Sequence, residues 1–96
     1  MPLSSRNCKR LCAAFETPTR GDIDWDDFKA LVEALGGGWP KMGSSSGSRR
    51  RALLRGVSAV FHRPHPGNEM KKGSVESARE FLENAGATPQ SEGCRC

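Results

Sequence analysis

The chain has 96 residues, a formal net charge of +4 and only 35% hydrophobic residues. This length fits one domain with a small core. So short a chain buries only roughly 60–65% of its unfolded surface, and a large enclosed substrate pocket is therefore not expected. No run of about 20 apolar residues is present, so no membrane-spanning helix is expected, and the first residues lack the apolar stretch of a signal peptide. These features predict a cytoplasmic protein whose four cysteines are reduced thiols.

The charge is distributed unevenly along the chain. Residues 21–40 sum to −4, whereas residues 41–72 hold eight cations against one anion and sum to +7. So concentrated a positive charge favours a polyanionic partner, because each Lys or Arg that meets a phosphate releases condensed counterions. The alternative is a solvated basic surface that keeps the protein soluble.

Three segments have the period of amphipathic helices. The first has apolar residues at positions 8, 11, 12 and 15 and is predicted to be a helix within an N-terminal extension, residues 1–21. The second begins after Asp24, a predicted N-cap, and has an apolar stripe at positions 25, 28, 31, 32 and 35. The third is predicted to begin at the N-cap Ser74 and to end at Gly86. Residues 87–96 have few apolar side chains and are predicted to be a flexible tail.

Three strands are predicted between the second and third helices, at residues 39–42, 49–54 and 57–62. A low-complexity segment, residues 43–48, is predicted to be the mobile loop between the first two, and Arg55-Gly56 the turn between the last two. Pro64 and Pro66 then force an extended path towards the third helix. Residues 22–86 therefore form a predicted α+β domain of order helix–strand–strand–strand–helix.

A histidine- and proline-rich block follows the third predicted strand. It reads Phe61-His62-Arg63-Pro64-His65-Pro66 and is followed by Glu69, the pair Lys71-Lys72 and a helix start. With Gly47-Ser48 before the second strand and a last helix ending in Phe81-Leu82-Glu83-Asn84-Ala85-Gly86, residues 25–86 resemble the HicA family of bacterial toxins. The resemblance implies a double-stranded-RNA-binding-like fold, α-β-β-β-α, here with an extra N-terminal helix. It also implies an endoribonuclease (an mRNA interferase) that cleaves messenger RNA and blocks translation until a HicB-like antitoxin binds it, and no cofactor is expected.

The chain departs from the family at the catalytic position. The family has a histidine at the start of the second strand, in a Gly-Ser-x-His-like context, whereas this chain reads Gly47-Ser48-Arg49-Arg50. RNA cleavage through the 2′-OH needs a general base, a general acid and a cation near the phosphorus. Arg49 can stabilise the phosphorane charge, but a guanidinium stays protonated and cannot be the base. His62, at the end of the third strand, is therefore the predicted catalytic residue; the alternative is a plain phosphate or base contact.

Basic residues on and around the strands are the candidates for RNA binding. Because side chains alternate along a strand, Arg50 points away from Arg49 and Arg51, and the three cannot all serve one ligand. His65, between two prolines, is alternatively a structural residue of its loop. Trp25 is expected in the core, and Trp39 is either a core residue or a stacking platform for bases. The predicted RNA-binding residues are Ser48, Arg49, Arg50, Arg51, Arg55, Arg63, His65, Lys71 and Lys72.

Three functions stay open at this point. The chain is an active HicA-like toxin, a catalytically inactive RNA- or antitoxin-binding module of the same fold, or a zinc-stabilised adaptor. The adaptor would use all four cysteines, which requires the two termini to meet, and neither the spacing of Cys8 and Cys12 nor that of Cys94 and Cys96 is that of a zinc knuckle. No metal site is therefore predicted.

Overall fold

A computed structural model describes residues 3–43 and 47–96, so residues 44–46 of the loop predicted at residues 43–48 lie outside the described residues. The fold is α+β, with three helices and two small antiparallel sheets. The elements in chain order are α1 (Ser5–Ala14), β1 (Ile23–Asp24), α2 (Trp25–Ala34), β2 (Arg49–Leu54), β3 (Val57–His62), β4 (Glu69–Met70) and α3 (Lys72–Asn84). None of the helices in the described parts of the chain is long and apolar enough to cross a membrane.

Helix α2 follows the sequence prediction closely. The carboxylate of Asp24 accepts a hydrogen bond from the backbone N–H of Asp27 at 3.1 Å, which satisfies a donor that the first turn of a helix leaves unpaired. Asp27 also accepts a hydrogen bond from Arg10 of α1. The apolar stripe faces inward, and its buried members are Trp25, Phe28, Leu31 and Val32.

Helix α1 is part of the same core rather than a separate extension. Leu11 and Ala14 are buried, and α1 packs against both α2 and α3. An ion pair of 2.9 Å joins Arg10 to Asp27 of α2. On the other side, the guanidinium of Arg79 in α3 donates to the carbonyl oxygen of Ala14 at 2.9 Å. These noncovalent contacts join α1 to both α2 and α3.

Two arginines hold the segment after α1, and one of them, Arg79, donates to the carbonyl oxygen of Glu16 and to the hydroxyl of Thr19. The guanidinium of Arg20 donates to Asp22 at 2.8 Å and to Glu16 at 3.0 Å. These hydrogen bonds raise the pKa of Arg20, and the bond from Arg20 lowers the pKa of the Asp22 carboxyl. Both groups are solvated, so the effect on stability is small.

Strands β2 and β3 form the predicted hairpin. Arg49 pairs with His62 at the open end and Leu54 with Val57 at the turn. The two-residue turn has Arg55 at φ 50° and Gly56 at φ 80°. Positive φ at both positions is typical of the type I′ turn, whose twist matches that of the strands.

The prediction of a strand at residues 39–42 is wrong. Residues 39–42 form no strand, and the residue just before them, Gly38, makes an isolated bridge in which it and Leu53 exchange backbone hydrogen bonds of 2.8 and 2.9 Å. Trp39 instead turns inward, where its ring packs edge-on against Trp25 and Phe28 and its Nε1 donates to the carbonyl oxygen of Lys29. Burial of the indole overrides strand pairing here, and Pro40 has no N–H to donate to a ladder. Trp39 is therefore a core aromatic residue.

A second sheet was not predicted. It joins β1 to β4, and Ile23 pairs with Met70. Helix α3 begins directly after this pair, at Lys72 with Lys71 as its N-cap residue, rather than after Ser74 as predicted. The sheet fixes the chain direction just ahead of the helix, so α3 starts about one turn early and without a side-chain cap. Its buried face is Val75, Ala78, Phe81 and Leu82.

The C-terminal segment is not a flexible tail. Ala87 is fully buried, and the backbone N–H groups of Thr88 and Ser91 donate to each other's hydroxyl oxygens. Glu92 forms an ion pair of 3.2 Å with Arg55. The prediction of a flexible tail failed because this segment is buried against the rest of the fold. The composition of ten residues does not show such long-range contacts.

The cysteines are not reduced thiols but form two disulfides. Cys8 is bonded to Cys94 with a Cα–Cα distance of 5.4 Å, and Cys12 to Cys96 with 5.6 Å. Two cysteines one helical turn apart therefore meet two cysteines two residues apart, and both bonds tie α1 to the C-terminus. In the described residues no group of three or more His, Cys, Asp or Glu side chains is arranged to hold a metal ion.

Candidate nucleic-acid interface

The outer face of the β2–β3 hairpin is open to solvent and basic. Residues alternate between the two faces of a strand, so the pairs Arg49–His62, Arg51–Val60 and Leu53–Ser58 lie on the outer face. All six side chains are exposed. On the inner face, Ala52, Leu54 and Phe61 are buried, and the Phe61 ring packs against Phe28 and Phe81. The core therefore holds the hairpin in place while its other face is exposed to solvent.

His62 lies on this face at the open end of the hairpin. Arg49 lies directly across the ladder from it. The hydroxyl Oγ of Ser48 lies 3.5 Å from Nδ1 of His62, at the outer limit of a hydrogen bond. The carbonyl oxygen of Ser48 accepts from the backbone N–H of Arg63 at 2.8 Å, which closes the end of the hairpin. Three of the predicted site residues, Ser48, Arg49 and His62, therefore lie together.

The three consecutive arginines divide between the faces as the strand period predicted. Arg51 lies on the outer face next to Arg49, and its side chain makes no hydrogen bond or ion pair with the described residues. Arg50 lies on the inner side, where one of its guanidinium nitrogens donates to the carbonyl oxygens of Gly47 and Arg49, each at 2.8 Å. Arg50 thus braces the start of β2, whereas Arg51 is available to a ligand.

A shallow depression adjoins the same histidine. His62, Arg63, His65 and Lys71 line it, together with Glu69. One side of His62 therefore lies beside the basic side chains Arg63, His65 and Lys71 and the acidic side chain Glu69, which are close to it along the chain. The depression and the outer face meet at His62 and form one basic surface.

The loop that carries His65 is held by a residue that the sequence analysis missed. The side-chain amide of Asn68 donates to the Asp24 carboxylate at 2.8 Å and to that of Asp26 at 3.1 Å. The backbone carbonyl oxygen of Asn68 accepts from the backbone N–H of Trp25 at 2.7 Å. The acidic first turn of α2 therefore anchors the histidine–proline loop. The only sequence signal was a Pro-Gly-Asn turn, which does not show what the asparagine contacts.

Two predicted residues lie outside this surface. Arg55 is at the opposite end of the hairpin, where it binds Glu92 and the carbonyl oxygen of Gly86. Lys72 does not line the depression, although it lies against Gly21, which does. Neither is grouped with His62. Trp25 is 2% exposed and belongs to the core, as predicted.

The arrangement has the groups for holding a phosphate and for moving one proton. Arg49, Arg51 and Arg63 supply positive charge around a single exposed imidazole, which can take up or release a proton near neutral pH. Among the described side chains, His62 has a hydrogen-bond partner only in Ser48, so no carboxylate orients its ring.

Comparisons of the chain with protein-family models, with curated proteins and with solved structures find no match.

Proposed function

We propose that this chain is an RNA-binding toxin of the HicA type, which binds messenger RNA on the outer face of the β2–β3 hairpin and cleaves it at His62. The observation that carries the proposal is the placement of Arg49, Arg51 and His62 on one exposed face of a hairpin that the core holds rigidly. The finer description, a double-stranded-RNA-binding-like fold, is part of the proposal. It is supported by the order α2, β2, β3, α3 and by the bridge at Gly38, which stands where a first strand would pair.

In this proposal the arginines bind the backbone and His62 does the chemistry. Phosphate contacts supply most of the affinity and position the strand without reading its sequence. The imidazole of His62 takes the proton of a 2′-OH, the oxygen attacks the neighbouring phosphorus, and a 2′,3′-cyclic phosphate forms as the 5′-oxygen leaves. The imidazolium returns the proton to that leaving oxygen, and Arg49 stabilises the charge on the phosphorane.

A second candidate is a module that binds RNA without cleaving it. The geometry around His62 favours this alternative in one respect. The ring is exposed, its contact with Ser48 is 3.5 Å long, and no described carboxylate holds it in one tautomer. A catalytic histidine usually has its second nitrogen fixed by such a partner.

Cleavage and binding of a fluorescent single-stranded RNA separate the two candidates. If the chain is a toxin, the wild type should bind and cleave the RNA. His62→Ala should then lower the cleavage rate by roughly 10²–10⁴-fold while binding weakens by less than about threefold. Arg55→Gln is the matched control, because Arg55 lies at the opposite end of the hairpin and pairs with Glu92, and it should cleave at nearly the wild-type rate. Binding without cleavage by the wild-type chain establishes the second candidate, and absence of binding at low salt refutes both.

The proposal includes a cellular role and a partner. A toxin of this type acts on messenger RNA in the cytoplasm and is inhibited by a HicB-like antitoxin. Induction of the chain in a bacterial host should then arrest growth, and co-expression of an antitoxin encoded beside it should restore growth. The cytoplasm of most organisms keeps thiols reduced, so the toxin must keep its fold when the two disulfides are open. The contacts of α1 with Asp27 and Arg79 involve no cysteine, but each contributes only about 1 kcal/mol. The role in the cytoplasm therefore also requires that the oxidised chain be stable by more than about 7 kcal/mol, the amount that the two disulfides contribute.

A further inference from the structure

The outer edge of β3 is an unpaired strand edge. Backbone bonds alternate along an antiparallel ladder, and the bond from Arg63 to Ser48 fixes which residues of β3 point towards β2. The backbone N–H and C=O groups of Phe61 and Ala59 point to β2. Those of Ser58, Val60 and His62 therefore point away from it. Those of Ser58 and Val60 have no protein partner among the described residues.

This edge is also open to a partner. On the inner face of β3, Phe61 is buried but Val57 and Ala59 are only half-buried, whereas Ala52 and Leu54 on β2 are both buried. Val60 is 49% exposed. Edge strands are usually protected by charged residues, prolines, bulges or very short length, and β3, with the sequence VSAVFH, has none of these. The edge of β2 differs, since Gly38 already pairs with Leu53 there.

We propose that the β3 edge is a docking site for an extended, acidic segment of a protein partner, which adds to the hairpin as a third strand. The backbone groups of Ser58, Val60 and His62 bind the added strand, as in other complexes formed by strand addition. Its alternate side chains then lie on the outer face. An apolar side chain lies beside Val60, and a carboxylate lies beside His62 within reach of Arg49 and Arg63.

Charge decides between an acidic segment and a second copy of this chain. Two copies paired through β3 would bring together two surfaces that each carry Arg49, Arg51 and Arg63 in a chain of net charge +4. An acidic strand neutralises the same arginines. The added strand would cover His62, and the partner would therefore block the RNA site by occupying the edge beside it. This last consequence rests on the proposed function.

Hydrogen exchange with a defined peptide tests the inference. The probe is a ten-residue peptide of alternating Glu and Val, added to the full chain, with an alternating Lys and Val peptide as control. We expect the Glu peptide to slow exchange of the Ser58, Val60 and His62 amides at least tenfold. It should leave unchanged the Arg51 amide, which points to the opposite edge. Binding that protects none of the three amides, or equal protection by the Lys peptide, overturns the inference.

A proline at the edge supplies a second test. In Val60→Pro the lost N–H is one that points away from β2, so the ladder of the hairpin keeps its bonds. The variant should bind the Glu peptide at least tenfold more weakly than Val60→Thr, which keeps the donor. Equal affinities of the two variants overturn the inference. The inference is also overturned if protection of these three amides from exchange rises with the concentration of the chain in the absence of peptide, because the occupant of the edge would then be a second copy. RNA binding by the wild-type chain is measured without peptide, so failure of the proposed function is seen separately.

Discussion

The two disulfides should stabilise the fold in a strongly non-additive way. Each closes a long loop, with sequence separations of 86 and 84 residues. Loop-closure entropy gives about 4.6 kcal/mol for the first bond that closes a loop of this length. Once one bond exists, the second closes only a small ring made of one helical turn of α1 and three residues of the C-terminus. For roughly eight residues the same relation gives about 2.5 kcal/mol.

It follows that the loss of either disulfide alone should destabilise the chain by about 2.5 kcal/mol, because the remaining bond still closes the long loop. Loss of both should cost about 7 kcal/mol, which exceeds the roughly 5 kcal/mol that two independent losses would sum to. The excess of about 2 kcal/mol is the signature of two bonds that share one loop.

Urea unfolding of three variants measures this difference. The variants are Cys8→Ala with Cys94→Ala, Cys12→Ala with Cys96→Ala, and the chain with all four substitutions, each compared with the oxidised wild type. The wild type with a thiol reductant is the control for the loss of the side chains themselves and should match the fourfold variant. Additive costs, or a single variant that loses as much as the fourfold variant, would refute the shared-loop reasoning.

Two substitutions test the contacts that position the hairpin and its neighbouring loop. Asp24→Ala removes the N-cap of α2 and an acceptor of Asn68, and should lower the free energy of unfolding by about 2–3 kcal/mol, measured by urea unfolding. A smaller loss than 1 kcal/mol would contradict the anchoring of the histidine–proline loop. In Gly37→Ala the new methyl group would overlap the carbonyl oxygen of Leu53, at a cost of about 1–3 kcal/mol. Gly38→Ala is the control, since nothing lies within 4 Å of its added carbon, and equal thermal stability of the two variants would show the clash to be wrong.

The parts of the fold that the sequence predicted are those set by local patterns. The stripe from Trp25 to Val32 repeats at the helical period and has its cap at Asp24, so α2 was located within about a residue. The hairpin was found because the turn Arg55-Gly56 separates two short strands. The same alternation correctly placed Arg50 on the opposite face from Arg49 and Arg51.

The parts that the sequence did not predict depend on residues far apart in the chain. The pairing of Ile23 with Met70 involves only two residues on each side, which leave no period to detect. The disulfides join positions more than 80 residues apart, and cysteine spacing alone does not reveal which termini meet. Likewise, the anchoring of the histidine–proline loop by Asn68 appears only when the chain is folded.

The RNA affinities of two arginine variants, Arg51→Gln and Arg55→Gln, test the central claim most directly. Arg51 lies on the outer face of the hairpin, and Arg55, four residues further on, lies at its far end and pairs with Glu92. We expect Arg51→Gln to weaken binding of a single-stranded RNA by about three- to tenfold and to reduce the slope of log affinity against log salt by about 1. Arg55→Gln should leave both within error of the wild type. Equal losses for the two variants, or a salt slope unchanged by Arg51→Gln, would contradict an RNA site on this face.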